Sequence, residues 1–254
     1  MQVSLITCTR NSEKTIKNCC LSISSQTYDN IEHIISDKNS QDKTISTIKK
    51  YGIKNLIIHE QKSLGIYGAI NEGMRKSNGD IIGVLHSDDE FIDKNVVKII
   101  CKKFLQNNLD VLFSNIFYTS QHDTNKIIRK WKSNLQEGIQ SNSILNKKIN
   151  NGWMPPHTAI FFKRDLLNRI GYYNENFVIS SDYDFIIRMF KEKNLKIYFL
   201  NKYTIKMRMG GISNKNIQNI FLKMKEDLNI MKKFKLNVFK CIFVKNFSKI
   251  KQFF

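Results

Sequence analysis

The first hundred residues alternate between short apolar runs, which predict β-strands, and longer amphipathic runs, which predict α-helices. The alternating segments are, in chain order, 3–6, 12–24, 31–36, 44–51, 56–58, 66–76 and 80–85. Ser12 is the predicted N-cap of the first helix. Strands and helices that alternate at these lengths form βαβ units, and a ligand of the resulting sheet binds beyond the carboxyl ends of its strands. The sequence therefore predicts an α/β fold with a mostly parallel sheet and a site at one edge of it.

The rest of the chain is less regular. The elements predicted beyond residue 96 are a helix at 97–104, strands at 111–118 and 159–162, and helices at 164–170 and 181–191. The stretch 121–151 is polar and gives no clear pattern. Because no internal repeat or linker is found, we expect one main domain at 1–213, followed by a helical basic and aromatic tail at 214–254.

The cysteines are too scattered to form a metal-binding or redox pair, and they lie at Cys8, Cys19, Cys20, Cys101 and Cys241. Their odd number and spacing favour a reducing compartment. The N-terminus is typical of a strand instead of a signal peptide, and no run of about 18 apolar residues occurs. We therefore expect a cytoplasmic chain that is neither exported nor membrane-spanning.

Positive charge is the strongest compositional signal, since 41 Lys and Arg against 22 Asp and Glu give a formal net charge of +19. Such a surface attracts polyanions or anionic lipid, although a general bias towards Lys, Ile and Asn explains part of it equally well. The tail at 214–254 concentrates this charge, with ten Lys, two acidic residues and seven Phe. Such a tail is typical of a helix at an anionic membrane surface or of a helix that packs its Phe side on the main domain. Both interpretations stay open.

Polar side chains follow the predicted strands at the edge where a ligand would bind. Thr7 and Thr9 end the first strand, Asp37 follows the second, and Asp88 and Asp89 follow the fourth. Adjacent carboxylates at a strand end can hold a hard divalent cation that bridges a diphosphate. An acidic surface turn is the alternative interpretation, since paired Asp residues are common in loops.

A second acidic cluster, Asp182 and Asp184, opens the helix predicted at 181–191. Acidic residues in a first helical turn also stabilise the helix dipole, so the cluster has a structural interpretation beside a chemical one. In the chemical interpretation a carboxylate at this position is a general base. Residues two apart on a helix point in different directions, so we expect one Asp to serve chemistry and the other to serve structure.

Taken in order, these segments resemble the family 2 glycosyltransferases of the GT-A fold, over most of residues 2–213. The similarity is carried by SLITCTRN (4–11), IISDKNSQDKT (34–44), SLGIYGAINEGMRKSNGDIIGVLHSDD (63–89), GWMPPHTAIFFKRDLLNRIGYYNENF (152–177), SSDYDFIIRM (180–189) and MRMGGISN (207–214). They most resemble enzymes of bacterial O-antigen, capsule and colanic-acid-type polysaccharide synthesis. The resemblance implies a Rossmann-like open sheet flanked by helices, with a nucleotide-sugar-binding half at 1–100 and an acceptor-binding half at 101–213.

The resemblance also implies roles for the strand-end residues. Thr7 and Thr9 would line the nucleotide pocket, and Asp37 would pair with the base of the nucleotide. Asp88 would approach the ribose or the metal. Asp89 would complete an Asp-x-Asp-like site for Mn²⁺ or Mg²⁺ on the diphosphate of the sugar donor.

Further roles follow from the same resemblance. Asp182 would be the catalytic base, so that in-line attack by the acceptor hydroxyl inverts the anomeric centre. Two expectations do not depend on the resemblance. Arg208 would lie near the diphosphate if the loop of Gly210 and Gly211 closes over the sugar donor, and an ordinary turn is the alternative. His157 would contact the acceptor, although a lone His beside a strand is more often a packed residue. The chain departs from the family's pattern at His86, where many relatives have Asp or Asn, and over 63–68, where near relatives have Asp at both ends.

These observations predict a glycosyltransferase that lies peripherally at the inner face of the cytoplasmic membrane. It would transfer a single sugar from a nucleoside diphosphate sugar, with UDP favoured, to a lipid-linked (polyprenyl diphosphate) oligosaccharide, and its tail would bind the anionic membrane surface. One alternative is a metal-dependent nucleotidyltransferase, which usually has a Gly-rich phosphate loop that this chain lacks after its first strand. The other is a nucleic-acid-binding protein, suggested by the net charge. Acidic strand ends would repel a nucleic acid, so none is expected as a partner.

Overall fold

A ten-stranded sheet runs through the computed structural model of the protein, which describes residues 1–210 and 217–250, with side chains up to residue 244. Its strands are β1 (Val3–Thr9), β2 (Ile31–Asp37), β3 (Leu56–Glu60), β4 (Ile81–Val84), β5 (Glu90–Phe91), β6 (Val111–Thr119), β7 (Ile127–Trp131), β8 (Gly138–Gln140), β9 (Ile160–Lys163) and β10 (Ile197–Arg208). The strands predicted from the sequence are all present. The sheet also includes four strands that were not predicted, β5, β7, β8 and β10.

Helices cover both faces of the sheet. They are α1 (Ile16–Ser24), α2 (Thr44–Tyr51), α3 (Gly65–Lys76), α4 (Val96–Asn107), α5 (Asn142–Asn150), α6 (Leu167–Ile170), α7 (Ser181–Lys191), α8 (Ile217–Lys233) and α9 (Val238–Ile250). The predicted cap of α1 is wrong, because residues 13–15 form a turn and the helix begins at Ile16. The Ser12 hydroxyl instead donates to Ser87 Oγ at 3.1 Å, in the loop after β4.

The sheet is parallel where the sequence alternates and mixed elsewhere. The strand order is β3-β2-β1-β4-β9-β6-β10-β5, with β7 beside β6 and β8 beside β10. The first four strands of this order are mutually parallel, as is the β6–β10 pair. The strand β9 runs antiparallel to both β4 and β6. A single reversed strand therefore joins the two parallel parts, and this pairing leaves no trace in local sequence periodicity.

Two hydrophobic cores lie on opposite faces of the sheet. Neighbouring residues of one strand enter different cores, as Leu5 and Ile6 of β1 and Ile35 and Ile34 of β2 show. Each of these four side chains is completely inaccessible to solvent. Strands covered on both faces are apolar at successive positions instead of alternating, which explains the short continuous apolar runs in the sequence.

The C-terminal helices pack on the main domain along one side only. Ile230, Met231, Leu236 and Cys241 are buried and belong to the same core as α7. Large apolar side chains on the remaining surface of α8 and α9 are exposed, among them Phe221, Met224, Phe239 and Phe243. The predicted tail at 214–254 begins and ends outside the described residues. None of the helices in the described ranges combines the length and the apolar character that a membrane-crossing segment needs.

Candidate active site

The carboxyl ends of β1 and β2 are fastened to each other by Asp37. The Thr9 hydroxyl donates to Asp37 Oδ1 at 2.6 Å, and Ser40 donates its hydroxyl to Oδ1 at 2.6 Å and its amide to Oδ2 at 2.8 Å. Both Thr9 and Asp37 are buried. The structure therefore brings these two predicted residues together, with each carboxylate oxygen of Asp37 already accepting a hydrogen bond.

Thr7 is buried near the carboxyl end of β1. Its side chain is fully buried, its hydroxyl donates to the Leu85 carbonyl at 2.7 Å, and His33 Nε2 lies 3.0 Å from the same oxygen. The hydroxyl thus joins β1 to the end of β4. The hydroxyl also lies 4.0 Å from Cys19 Sγ on α1, and the expected role of Thr7 in lining the nucleotide pocket stays a prediction.

The loop after β4 contains a buried carboxylate without a partner. Asp89 is 1% exposed, and neither of its carboxylate oxygens has a hydrogen-bond partner among the described residues. Burial, and then the charge of Asp88, raises the pKa of Asp89 well above its ordinary value. Burial also raises the pKa of Asp88, which is partly accessible. The backbone of Arg208 and His86 and the charge of Arg208 oppose this upward shift only in part, and a buried carboxylate whose charge is not fully compensated is costly.

Arg208, at the end of β10, is the cationic side chain that reaches this loop. Its Nε donates to the Asp88 carbonyl at 3.2 Å, and its Nη1 donates to the Gln121 carbonyl at 3.1 Å. The guanidinium charge opposes the upward shift in the pKa of Asp88 and Asp89. Arg208, which is only 9% exposed, therefore contacts the loop of Asp88 and Asp89, and its expected place near the diphosphate stays a prediction.

Asp182 and Asp184, at the start of α7, lie in different environments. The Asp182 side chain is 21% exposed, and its Oδ1 accepts from the Tyr183 amide at 2.9 Å and from the Tyr67 hydroxyl at 3.3 Å. Asp184 is completely buried and pairs with Arg188 at 2.7 Å and Lys233 at 2.8 Å. Only Asp182 is accessible to a substrate, as the spacing of the two residues indicates.

His157 lies beside Asp182, in a short 3₁₀ turn before β9. Its Nδ1 is 3.6 Å from Asp182 Oδ2, and its Nε2 is 2.8 Å from His86 Nε2. Burial lowers the pKa of His157, against the opposing effect of Asp182, and it lowers the pKa of His86 to about 3. The predicted acceptor-contacting residue is thus placed between Asp182 and the loop of Asp88 and Asp89.

The two departures within residues 63–68 are neighbours in space. A side chain at Gly68 would begin 2.6 Å from the Ser63 side chain and 3.1 Å from Glu175 Oε2. Ser63 therefore occupies the space that a longer residue at position 68 would need. The absence of a side chain at position 68 therefore goes together with the presence of Ser at position 63, the two positions at which near relatives have Asp.

Sequence reasoning missed two residues next to Asp182. Tyr67 donates its hydroxyl to the Ile179 carbonyl at 2.6 Å as well as approaching Asp182, and it lies inside one of the segments that carry the family resemblance. Glu226, on α8, accepts backbone hydrogen bonds from 178–180, the segment just before α7. The only sequence signal for Glu226 is an acidic pair inside a Lys-rich tail.

The arrangement combines an anionic loop with an accessible carboxylate. Among the described residues no group of three or more His, Cys, Asp or Glu side chains is arranged so that it could hold a metal ion. The two adjacent carboxylates of Asp88 and Asp89 are nevertheless hard oxygen ligands of the kind that divalent cations prefer. Asp182 is free to accept a proton from a bound hydroxyl group.

Comparisons with known proteins place this chain among sugar-transferring enzymes. A PGL/p-HBAD biosynthesis glycosyltransferase of Mycobacterium bovis is 25% identical over 225 residues, which are 87% of this chain and 82% of that protein. The Escherichia coli protein WfgD, a UDP-Glc:alpha-D-GlcNAc-diphosphoundecaprenol beta-1,3-glucosyltransferase, is 25% identical over 223 residues, 86% of this chain and 82% of that one.

Solved structures show the same fold. A crystal structure of S. aureus TarS in complex with UDP-GlcNAc matches with a TM-score of 0.65 and 21% identity, over 85% of this chain and 61% of the TarS chain. This chain thus spans less than two thirds of the solved TarS chain. The model of glycosyl transferase family 2 matches residues 4–171, which is more than half of the sequence. The chain therefore belongs to glycosyl transferase family 2 and is a glycosyltransferase with the GT-A fold.

Proposed function

We propose that this enzyme transfers one sugar from a nucleoside diphosphate sugar to a lipid-linked oligosaccharide, with inversion at the anomeric carbon. The observation that carries the proposal is the buried carboxylate of Asp89, beside Asp88 at the end of β4, whose oxygens accept no hydrogen bond from the part of the chain that the structure describes. A site for a metal-bound diphosphate accounts for this carboxylate, which otherwise only destabilises the fold. Asp182 supplies the accessible carboxylate that the acceptor hydroxyl requires.

A UDP-sugar is the favoured donor. Solved TarS contains UDP-GlcNAc on the same fold, and WfgD is named for UDP-Glc. Asp37 and Thr9 lie at the ends of β2 and β1, where a nucleotide binds in open α/β sheets. Their hydrogen bonds to each other and to Ser40 hold this edge rigid, so a nucleotide base would meet a preformed surface.

Asp89 and Asp88 would hold the divalent cation, Mn²⁺ or Mg²⁺, with diphosphate and water as further oxygen ligands. The fit rests on Asp89, because a bound cation would compensate the buried charge that raises its pKa. When bound, the cation stabilises negative charge on the departing diphosphate. Arg208 contributes a second positive charge, since its guanidinium already contacts the backbone of the same loop.

Asp182 would accept the proton of the acceptor hydroxyl as that oxygen attacks the anomeric carbon. The nucleoside diphosphate leaves with the electrons of the broken glycosidic bond, so a single displacement inverts the configuration. The Tyr183 amide donates to Oδ1 of Asp182, and the Tyr67 hydroxyl oxygen lies 3.3 Å from the same atom. They leave Oδ2, which faces His157, as the oxygen that receives the proton.

The acceptor proposed is a polyprenyl diphosphate saccharide, because WfgD is named for a diphosphoundecaprenol acceptor. Such a substrate lies in the membrane, and the exposed Phe221, Phe239 and Phe243 suit an interfacial position. Lysines near an anionic surface add about 1 kcal/mol each, and the segment 214–254 has ten of them. The enzyme would thus act at the inner face of the cytoplasmic membrane.

A transfer assay tests the reaction. The enzyme is incubated with UDP-, GDP- and dTDP-sugars and a synthetic polyprenyl diphosphate saccharide, and the anomeric configuration of the product is read by NMR. We expect inversion, and we expect Asp182→Asn to lower kcat by about 10²-fold or more. Asp165→Asn, an exposed carboxylate in the 3₁₀ turn after β9, should leave kcat unchanged. Retained configuration, or full activity of Asp182→Asn, would contradict the proposal.

Vesicle sedimentation tests the membrane surface separately. Phe239 and Phe243 are 89% and 60% exposed, so changing both to Ser should release the enzyme from phosphatidylglycerol vesicles without unfolding it. Leu105→Ser is the matched control, because Leu105 is 62% exposed on α4. If the parent, the double Phe variant and Leu105→Ser all sediment equally with the vesicles, α9 does not bind the membrane surface.

A further inference from the structure

A single carboxylate on α8 binds the backbone of the segment that leads into Asp182. Glu226 Oε1 accepts from the Val178 amide at 2.7 Å, and Oε2 accepts from the amides of Ile179 and Ser180 at 2.9 and 2.8 Å. Glu226 is only 6% exposed, and both Ile179 and Ser180 are buried. Three consecutive backbone donors therefore depend on one side chain from another part of the chain.

Ser180 is the N-cap residue of α7, so its amide has no partner within the helix, and the amides of Val178 and Ile179 lie just before it. The Ser180 carbonyl accepts from the amides of Tyr183 and Asp184 at 3.0 and 3.3 Å, so Ser180 is the residue on which the first turn of α7 is built. Asp182 lies in that turn. Any displacement of 178–180 is consequently passed to the Asp182 carboxylate through the helix backbone.

The same segment is held from its other side by Tyr67. The Tyr67 hydroxyl donates to the Ile179 carbonyl at 2.6 Å and lies 3.3 Å from Asp182 Oδ1. Glu226 thus binds the amide of Ile179 while Tyr67 binds its carbonyl. A peptide fixed at both polar groups has little freedom, and Asp182 is aligned by contacts from α3 and from α8.

The helix α8 is anchored firmly enough to act as this support. Ile230 and Met231 are buried in the core against α7, and Lys233 pairs with Asp184 at 2.8 Å. Glu226 therefore lies one or two turns before a fixed part of α8 and has little room to move. Its carboxylate position is set by the fold and not by the loop it binds.

We infer that Glu226 is a positioning residue for the catalytic base, and that α8 belongs to the catalytic unit although the sequence places it in the tail. The inference rests on the role of Asp182 given under the proposed function. Loss of the Glu226 carboxylate leaves three backbone donors without their acceptor, and buried polar groups without partners relocate towards water. The segment 178–180 then shifts and Asp182 loses its alignment, while the sugar-donor site at β1, β2 and β4 is untouched.

The test compares four single variants and the double variant Asp182→Asn/Glu226→Gln, all of the full chain. Glu226→Gln retains one acceptor oxygen but loses the charge and the second oxygen, and Glu226→Ala loses all three hydrogen bonds. Glu192→Gln is the control, because Glu192 follows the other end of α7, is 30% exposed and pairs only with Arg169 at 2.6 Å among the contacts described. Asp182→Asn serves as the reference for loss of the base.

Three quantities are measured for each variant. They are the rate of nucleoside diphosphate release from the best UDP-sugar of the transfer assay, the dissociation constant of that sugar donor, and the thermal midpoint. Rates are taken well below the lowest midpoint and expressed per folded molecule, so that lost stability is not mistaken for lost catalysis. Release to water is measured as well as release to the lipid acceptor, since both need the base.

We expect Glu226→Gln to lower kcat by about tenfold and Glu226→Ala by more, because a misplacement of about 1 Å costs up to about 10²-fold. The sugar-donor dissociation constant should stay within about twofold of the parent value, and Glu192→Gln should match the parent. In an Asp182→Asn background, Glu226→Gln should cause no further loss, since it acts through Asp182.

The outcomes separate this inference from the proposed function. If Asp182→Asn is inactive while Glu226→Gln and Glu226→Ala keep the parent kcat, Glu226 has no positioning role and the inference is overturned. An additive loss in the double variant would overturn it equally, because Glu226 would then act elsewhere. If Asp182→Asn itself retains full activity, the proposed base is wrong and the inference fails with it.

Discussion

His86 Nε2 lies 2.8 Å from His157 Nε2, which joins the loop of Asp88 and Asp89 to the turn ahead of β9. Burial lowers the pKa of both imidazoles, so both rings are neutral at neutral pH and one donates to the other. His157 also faces Asp182 across 3.6 Å. The His at position 86, which departs from the family's pattern, therefore has a partner, and the pair spans the metal-binding and base regions of the proposed site.

Removing His157 should impair catalysis more than sugar-donor binding. His157→Ala leaves Asp182 Oδ2 and His86 without their neighbour, so we expect kcat to fall by about tenfold while the dissociation constant of the sugar donor changes little. His122→Ala, at an exposed loop position, is the control and should behave as the parent. Equal kcat for the two variants would show that the His pair is only a packing contact.

Asp89 should destabilise the metal-free enzyme and stabilise the metal-bound one. Burial raises the pKa of Asp89, so the charged form opposes folding at neutral pH and stability falls as the pH rises through its titration. Asp89→Asn should therefore raise the thermal midpoint without metal. Mn²⁺ at about a hundred times its dissociation constant should add about 2.7 kcal/mol to the parent and nothing to the variant. A Mn²⁺ response that survives in Asp89→Asn would place the cation elsewhere.

The two partners of buried Asp184 should differ in importance. Arg188 also donates to the carbonyls of Ile170 and Tyr172, so Arg188→Ala breaks several contacts and should cost about 3 kcal/mol of unfolding free energy. Lys233 is 50% exposed, and Lys233→Ala should cost less than about 1 kcal/mol. Urea denaturation measures both values. A larger cost for Lys233 than for Arg188 would mean that α8 contributes more to stability than its exposed ion pair indicates.

His33 should make stability depend on pH. Burial lowers its pKa from 6.5 to about 4, so between these values the unfolded chain binds more protons than the folded one, and unfolding free energy falls as the pH falls. The full effect is about 3 kcal/mol. His33→Leu should remove this part of the acid-induced loss, although it also removes the contact with Thr7. Urea midpoints of the parent and of His33→Leu, measured from pH 6.5 down to about 4, test this effect. If the midpoints of the two proteins fall equally with pH, His33 is not the source of the pH dependence.

The sequence predicts the parallel half of the sheet well because its strands alternate regularly with helices, and β1–β2 and β2–β3 are each separated by one helix along the chain. It does not predict β9 between β4 and β6, since that pairing is set by contacts between distant segments. The strand β10 was missed although it is the longest, and its irregular pairing with β6 between Leu200 and Ile205 interrupts the usual alternation.

The candidate site, like the sheet, is only partly predictable from the sequence. Asp37, Asp88, Asp89 and Asp182 are found from their positions after strands or at a helix start, because the topology brings such positions together. Glu226 could not be found in this way, since its three partners lie 46 to 48 residues earlier in the chain. The role of Thr7 is implied by the family resemblance and stays a prediction, and the structure adds that its side chain is fully buried.

The most direct test of the central claim is isothermal titration of the purified enzyme with UDP-, GDP- and dTDP-sugars, with and without Mn²⁺, repeated on Asp89→Ala. We predict Mn²⁺-dependent binding of a UDP-sugar that disappears in Asp89→Ala, because Asp89 would hold the cation that carries the diphosphate. Binding that is equally tight without Mn²⁺, or that persists in Asp89→Ala, would contradict a metal-dependent sugar-donor site at the end of β4.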